Sequence, residues 1–249
     1  ADGAQPDHRL EPRPSRGRSY RLALDLPAAD VVLGEIDQAA ERVHAEIALA
    51  GSLGRSLPPF SISGARGWTT GYTVSVMSGA LSGWIQTGAR TLTLDGGIGY
   101  YDHNRGHWTG VSWRWGQVRG DGLSFVYGRV LPPREAADPD RMPGFLLVSD
   151  ATGPLAYATR LEITEEDDPD TGEPRHIVVE TGTFGFRVRM EIEVDEAARA
   201  RLDRQGFDSG LDFYQLGATF EVSGQVGDRP FAFTAEGSAE TFRGCAPGP

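Results

Sequence analysis

The sequence contains few of the residues that cross-links and membrane spans require. Its single cysteine, Cys245, excludes a disulfide within the 249-residue chain, so the fold depends on no oxidising compartment. No apolar run approaches the roughly 18 residues of a spanning helix. The polar opening residues show no apolar stretch of the kind found in secretory signals. We therefore predict no transmembrane segment, and these absences slightly favour the cytoplasm without determining the compartment.

Positive charge is also scarce, because 24 Lys and Arg stand against 35 Asp and Glu, for a formal net charge of -11. An acidic surface repels nucleic acid and anionic lipid, so nucleic acid is not an expected partner. The opening segment is basic but short and Pro-rich. We interpret residues 1–19 as a solvated, disordered arm. Oligomeric state is not indicated by composition.

Several catalytic motifs are missing. The chain has no Gly-x-Ser-x-Gly elbow, which excludes the common serine hydrolase arrangement. Gly97-x-Gly99 lacks the third glycine and the helix of a dinucleotide site. Asp102, His103 and His107 are metal-ligand types. Adjacent residues of an extended chain point to opposite faces, however, so Asp102 and His103 do not converge. Neither a metal nor an organic cofactor is predicted.

Glycine and proline are abundant, at 33 and 16 residues, and they separate short segments rich in Val, Ile, Thr and aromatics. This pattern is typical of an all-β chain. Three turn sequences indicate tight hairpins: Asp95-Gly96-Gly97, Gly120-Asp121-Gly122 and Gly227-Asp228. The predicted strands are Tyr20–Leu26, Val43–Ala50, Gly71–Val76, Ala80–Ile85, Arg90–Leu94, Thr109–Arg119, Leu123–Val130, Gly144–Ser149, Leu155–Ile163, His176–Glu180, Phe186–Val194, Phe213–Val222 and Pro230–Glu236.

Two segments also fit a helix. Residues 28–50 can be scored as one amphipathic helix, although the consistent β pattern that follows from residue 60 favours strands. The one short helix of the chain is predicted at Asp195–Gln205, with Gly206 at its C-terminal cap. Meandering antiparallel strands with one helix predict a barrel or a sandwich.

One block of twenty residues concentrates aromatic and titratable side chains. Residues 99–118, GYYDHNRGHWTGVSWRWGQV, hold three of the five tryptophans and two of the five histidines. In a strand over 109–118, Trp113, Trp115 and Gln117 lie on one face. Such a face suits the wall of a binding cavity as well as it suits a packed core.

This block resembles the Y-x-D-H-N-W-G…W-x-W-G motif of the carotenoid 1,2-hydratase (CrtC, hydroxyneurosporene synthase) and AttH-like tandem-lipocalin family. The stretches LSFVYGRV, RMPGFL and FEVSGQVGDRPFAFTAEGSAETFR also resemble its C-terminal domain. The resemblance implies lipocalin-like antiparallel barrels. It divides the chain into a partial or reduced N-terminal lipocalin-like domain at 20–95 and a C-terminal lipocalin-like domain at 96–243.

The resemblance implies a cofactor-free enzyme in which Tyr100 and Asp102 form the catalytic pair. The expected substrate-binding residues are His103, Asn104, Trp113, Trp115, Gln117 and Tyr127. The hydratases also use a His and a Trp upstream of the motif, and residues 72–77 contain neither. Related cyclases and pericyclases fold a flexible polyene in a shaped aromatic cavity and need no strict acid.

The predicted function is therefore a cofactor-free hydratase, isomerase or cyclase. Its expected substrate is a lipophilic polyene, terpenoid or polyketide-like molecule held in an aromatic barrel cavity. The alternative is a non-catalytic lipocalin-type carrier of a lipophilic metabolite. A carrier needs only the apolar walls, whereas a catalyst also needs Tyr100 or Asp102 to face the cavity.

Overall fold

The computed structural model describes residues 9–10, 13–14, 18–27, 42–51, 60–106, 111–202 and 211–244. Nearly all of them lie in antiparallel strands that form two sheets, which confirms the all-β prediction. None of these described residues belongs to a helix with the length and apolar character needed to cross a bilayer.

The N-terminal sheet contains eight strands among the described residues. They are β1 (Arg9–Leu10), β2 (Arg13–Pro14), β3 (Arg18–Pro27), β4 (Arg42–Gly51), β5 (Phe60–Ser63), β6 (Thr69–Thr87), β7 (Arg90–Thr93) and β8 (Ile98–Gly106). The long strand β6 pairs with β4, β5, β7 and β8. It contains both of the strands predicted between residues 71 and 85. The segment that forms β8 was not among the predicted strands.

The C-terminal sheet contains nine strands of the described chain. They are β9 (Ser112–Gly120), β10 (Leu123–Leu131), β11 (Gly144–Asp150), β12 (Gly153–Ala158), β13 (Glu162–Asp167), β14 (Pro174–Thr183), β15 (Phe186–Leu202), β16 (Leu211–Val226) and β17 (Arg229–Gly244). Their order is β12-β11-β10-β9-β17-β16-β15-β14-β13. The sheet curls into a half barrel.

One apolar core fills the concave side of the half barrel. Alternate residues of each strand supply it, as in β15, where Val188, Met190 and Ile192 are buried. Tyr127 of β10 belongs to the same core and is 1% exposed. The residues that alternate with these core residues along each strand point to the convex side, because successive side chains of a strand point to opposite faces. The convex side of β9 and β17 faces the N-terminal sheet.

The tight turns follow the predicted chemistry. The β9–β10 hairpin turns at Asp121 and Gly122, whose φ angles are 51° and 70°. Positive φ at both central residues is the signature of a type I′ turn, which matches the twist of the strands it joins. The turn at 227–228 joins β16 to β17. These two predicted hairpins are thus confirmed. The third, at Asp95-Gly96-Gly97, is wrong, because the turn joins β7 to β8 and each of these strands pairs with β6 instead.

The predicted helix at 195–205 is wrong over its described part, because β15 continues to Leu202. After a one-residue register shift between Val194 and Glu196, β15 pairs with β16 as far as Leu211. The Arg199 guanidinium forms two hydrogen bonds with the buried Asp212 carboxylate across this ladder, at 2.9 and 2.8 Å. Tertiary pairing overrides the helical preference of this Ala- and Arg-rich segment. Residues 203–206 lie outside the described residues.

The domain boundaries predicted at 20–95 and 96–243 stay a prediction. The change of sheet falls between Gly106 and Ser112, since β8 pairs with β6 of the N-terminal sheet. Within the expected arm, Arg9–Leu10 and Arg13–Pro14 form short strands that pair with β3. The other residues of the arm up to 17 lie outside the described residues.

Candidate functional site

A cavity lies between the two sheets, on the convex side of the half barrel. The N-terminal sheet contributes Ile62, Thr70, Tyr72, Asp102 and Asn104 to its lining. The C-terminal sheet and its connections contribute Trp113, Arg114, Trp115, Gly128, Arg129, Val130, Pro143, Phe145 and Glu240. The cavity volume is about 70 Å³.

Strand alternation places the predicted acid at this cavity. In β8, Tyr100, Asp102 and Asn104 share one face, and His103 lies on the other. Val74 of β6 is the register partner of Asp102, and Tyr72 is that of Asn104. The face of β8 that carries Tyr100 and Asp102 and the face of β6 that carries Tyr72 therefore meet the tryptophans of β9. His103 is exposed to solvent.

A hydrogen-bonded cluster surrounds the Asp102 carboxylate. Tyr72 Oη donates to Asp102 Oδ2 at 2.7 Å, and Tyr100 Oη lies 3.1 Å from the same oxygen. The two phenol oxygens are 2.5 Å apart. Trp115 Nε1 donates to Tyr72 Oη at 2.8 Å. The pair predicted from Tyr100 and Asp102 is thus formed, with Tyr72 as its third member.

Burial sets the protonation of this cluster. It raises the pKa of Asp102 above the usual carboxyl value, and the hydrogen bonds from Tyr72 and Tyr100 act against that rise. Burial also raises the pKa of both phenols, and the negative charge of Asp102 adds to the rise. Both tyrosines are accordingly neutral donors at physiological pH, and Asp102 holds its proton more readily than an exposed carboxyl.

A second carboxyl, Glu240 of β17, enters the cavity from the opposite wall. Its Oε2 accepts a hydrogen bond from Trp113 Nε1 at 3.1 Å. Glu240 is the register partner of Trp115, so its side chain stands on the tryptophan face of the half barrel. Burial raises the pKa of Glu240 to about 7, and the charge of Asp102 contributes to the rise. Sequence analysis did not single out this residue.

The aromatic wall behind the two acids is firmly packed. Trp113 stacks on Phe242 with ring centroids 4.0 Å apart and an interplanar angle of 20°. Trp115 contacts the ring of Tyr100 at 5.3 Å. On the N-terminal side, Tyr72 packs on Phe145 at 4.9 Å. Interlocked rings of this kind hold their polar edges in place, which suits a preorganised site.

Four of the predicted site residues line the cavity: Asp102, Asn104, Trp113 and Trp115. Tyr100 reaches it through its contact with Asp102. Gln117 lies further along β9, outside the lining. Tyr127 is in the half-barrel core, where its ring occupies the space beside Gly116, so that a Cβ on this glycine would lie 2.5 Å from Tyr127 Cε1.

The structure brings in three further groups, Tyr72, Arg129 and Glu240. Tyr72 belongs to the alternating buried set of β6 with Thr70, Val74 and Val76, a pattern that does not separate a core tyrosine from a site tyrosine. Arg129 Nε is buried, and it has no hydrogen-bond partner within the described part of the chain.

Among those same residues no three His, Cys, Asp or Glu side chains are placed to hold a metal ion. His107 lies outside them.

Comparison with known proteins supports the fold. No family model matches the sequence, and no curated protein does. Several solved structures are similar over most of the chain, among them two of the same protein. One is the crystal structure of CghA, with a TM-score of 0.58, 12% identity, and coverage of 93% of this chain and 71% of that one. The other is CghA with Sch210972, with a TM-score of 0.58, 10% identity, and coverage of 92% and 65%.

At such identities the likeness concerns the fold alone. It agrees with the predicted lipocalin-like architecture. The chain spans 71% and 65% of the two CghA chains, so part of each neighbour has no counterpart here. The finer resemblance to the carotenoid hydratase and AttH-like family stays a prediction.

Proposed function

We propose that this protein is a cofactor-free hydratase, isomerase or cyclase that acts on a lipophilic polyene, terpenoid or polyketide-like substrate. The observation that carries the proposal is the Asp102 carboxyl, held by two phenols in an aromatic cavity where burial raises its pKa. A carboxyl poised in this way is a proton donor or acceptor without a cofactor. Aromatic faces nearby stabilise positive charge in an intermediate.

The size of the cavity limits how much of the substrate it holds. Pockets for drug-sized ligands measure about 300–1,000 Å³, whereas this one encloses about 70 Å³. The reactive end of the substrate therefore lies between Asp102 and the tryptophans, and its remainder extends along the seam between the sheets. The complex of the neighbour CghA with Sch210972 supports small-molecule binding by this fold.

Binding and turnover are separable by one substitution. Binding is followed through energy transfer from tryptophan to retinol, used as a lipophilic probe, and conversion through mass spectrometry of a panel of terpenoid alcohols. We expect Asp102→Asn to bind retinol like the wild type and to lose at least about a hundredfold in turnover. The exposed Asp170→Asn serves as the matched control and keeps both.

Each outcome has a distinct meaning. Turnover that survives Asp102→Asn removes the acid–base role of this residue. A wild-type protein that binds retinol and converts no member of the panel supports the carrier function instead, because a carrier needs only the apolar walls. Native mass spectrometry of the purified protein then identifies any lipophilic cargo.

A further inference from the structure

Two carboxyl groups face the same cavity from different sheets, each held by only one of its oxygens. Asp102 Oδ2 takes the contacts from Tyr72 and Tyr100. Glu240 Oε2 takes the hydrogen bond from Trp113. Within the described chain no hydrogen bond reaches Asp102 Oδ1 or Glu240 Oε1, and both residues line the cavity. Each acid thus presents one anchored oxygen and one oxygen that a ligand can use.

The two acids have different surroundings. Two phenols surround the anchored oxygen of Asp102, and hydrogen bonds from them favour its charged form. Glu240 receives one indole N–H, and the negative charge of Asp102 opposes its ionisation. Asp102 is therefore the first of the two to lose its proton, and Glu240 keeps its own up to a pH of about 7.

The arginines that line the cavity already pair with other groups. The titratable side chains that line it with Glu240 are Tyr72, Asp102, Arg114 and Arg129. Arg114 Nε forms an ion pair with Glu165 at 2.8 Å. Arg129 Nη2 donates to two backbone carbonyls, at 3.2 and 3.3 Å. In the described residues neither arginine bonds to Glu240, so no cation there favours its ionised form.

We propose that Asp102 and Glu240 act as proton acceptor and proton donor on one substrate, so that the reaction is an isomerisation by proton transfer. This inference rests on the proposed function and narrows it to one reaction class. Asp102 Oδ1 removes a proton from a carbon of the substrate, and the C–H electron pair becomes a new double bond. The old double bond shifts, and its far carbon takes the proton of Glu240 Oε1.

The step is balanced and uses no oxidant or reductant. It leaves Asp102 neutral and Glu240 ionised, and water returns the proton from the first to the second. A carboxylate is a weak base, so the carbon that loses the proton must be acidified by a neighbouring carbonyl. The substrate class is accordingly a lipophilic β,γ-unsaturated ketone or a closely related carbonyl compound.

The protonation assignment is testable without a substrate. Infrared spectra at about pH 6, one unit below the pKa of about 7, report protonated carboxyl groups through their C=O band. We expect this band to vanish in Glu240→Gln and to persist in Glu236→Gln, an exposed control on the same strand. In Asp102→Asn the band should titrate at a lower pH, because the charge of Asp102 contributes to the raised pKa of Glu240. A band that persists in Glu240→Gln, or one that titrates unchanged in Asp102→Asn, overturns the assignment.

The reaction class is tested with androst-5-ene-3,17-dione, a lipophilic β,γ-unsaturated ketone whose isomerisation is followed by absorbance. We expect wild-type turnover to fall as the pH rises through about 7. Glu240→Gln should lose at least about a hundredfold in kcat with a similar KM, and Glu236→Gln should match the wild type. Gln keeps the acceptor for Trp113, so this variant removes the proton rather than the packing.

Failure of this inference differs from failure of the proposed function. If Glu240→Gln keeps wild-type turnover while Asp102→Asn is inactive, the pairing is overturned and the function stands. If the wild type binds the ketone and leaves it unconverted, proton-transfer isomerisation is overturned and the carrier alternative gains. A protein that binds neither the ketone nor retinol contradicts the proposed function and this inference together.

Discussion

Replacing Tyr72 by Phe is the sharpest perturbation of the site, because one oxygen atom joins three of its groups. Tyr72 Oη donates to Asp102, accepts from Trp115 Nε1 and lies 2.5 Å from Tyr100 Oη. Phe keeps the packing on Phe145 and removes only the oxygen. The loss of stability therefore measures the hydrogen bonds themselves.

The expected magnitude follows from two of these contacts. A hydrogen bond to a charged or partly charged group contributes about 1.5–3 kcal/mol, and an unsatisfied buried donor such as Trp115 Nε1 costs about 1–3 kcal/mol. Asp102 keeps its contact with Tyr100, which reduces the sum. We expect Tyr72→Phe to lower the free energy of unfolding by about 3 kcal/mol, a large share of the 5–15 kcal/mol typical of a domain.

Urea denaturation of the wild type, Tyr72→Phe and Tyr157→Phe measures this effect. Tyr157 lies on β12 and is 46% exposed, so its hydroxyl serves as the control, with an expected change below about 0.5 kcal/mol. A loss below about 1 kcal/mol in Tyr72→Phe would refute the bridging role of this oxygen. The substitution also removes a hydrogen bond that lowers the pKa of Asp102, so that pKa should rise further.

Three more predictions follow from buried groups. Glu240 has a pKa raised from 4.5 to about 7 on folding, so the folded protein binds more protons than the unfolded chain between these values. The contribution of Glu240 to stability is therefore full below pH about 4.5, and about 3 kcal/mol is lost as the pH rises through 7. Urea titrations should find this slope flattened in Glu240→Gln. Tyr127→Phe should leave retinol affinity unchanged, as fluorescence titration can show, because Tyr127 lies in the half-barrel core. Asp212→Ala should cost about 2 kcal/mol in thermal or urea unfolding, since it removes two charge-assisted hydrogen bonds with the partly exposed Arg199 guanidinium; a neutral result would contradict strand pairing at this end of β15.

Local chemistry was sufficient to predict much of the fold. Glycine-containing turns place the hairpins, and alternating residues distinguish the two sides of a strand. The spacing of Tyr100 and Asp102 likewise places both on one face of β8, where the structure shows them hydrogen-bonded. These features depend on neighbours within a few residues, which a single sequence displays directly.

Features that depend on distant partners were missed. The segment 195–202 has the composition of a helix, and only its pairing with β16 makes it a strand. Glu240 binds Trp113 across 127 residues of chain, so neither local pattern nor spacing connects the two. Tyr127 was expected at the substrate, and its position in β10 directs its side chain into the half-barrel core.

The position of the cavity explains how one strand serves both core and site. In β9, Gly116 and Val118 face the packed interior of the half barrel, and Trp113 and Trp115 face the seam. A polar substitution on the seam side disturbs few contacts of the interior, because the two faces of a strand bury against different partners. The acids Asp102 and Glu240 therefore stand on two stable sheets that hold them opposite each other, and their chemistry can change without loss of the half-barrel core.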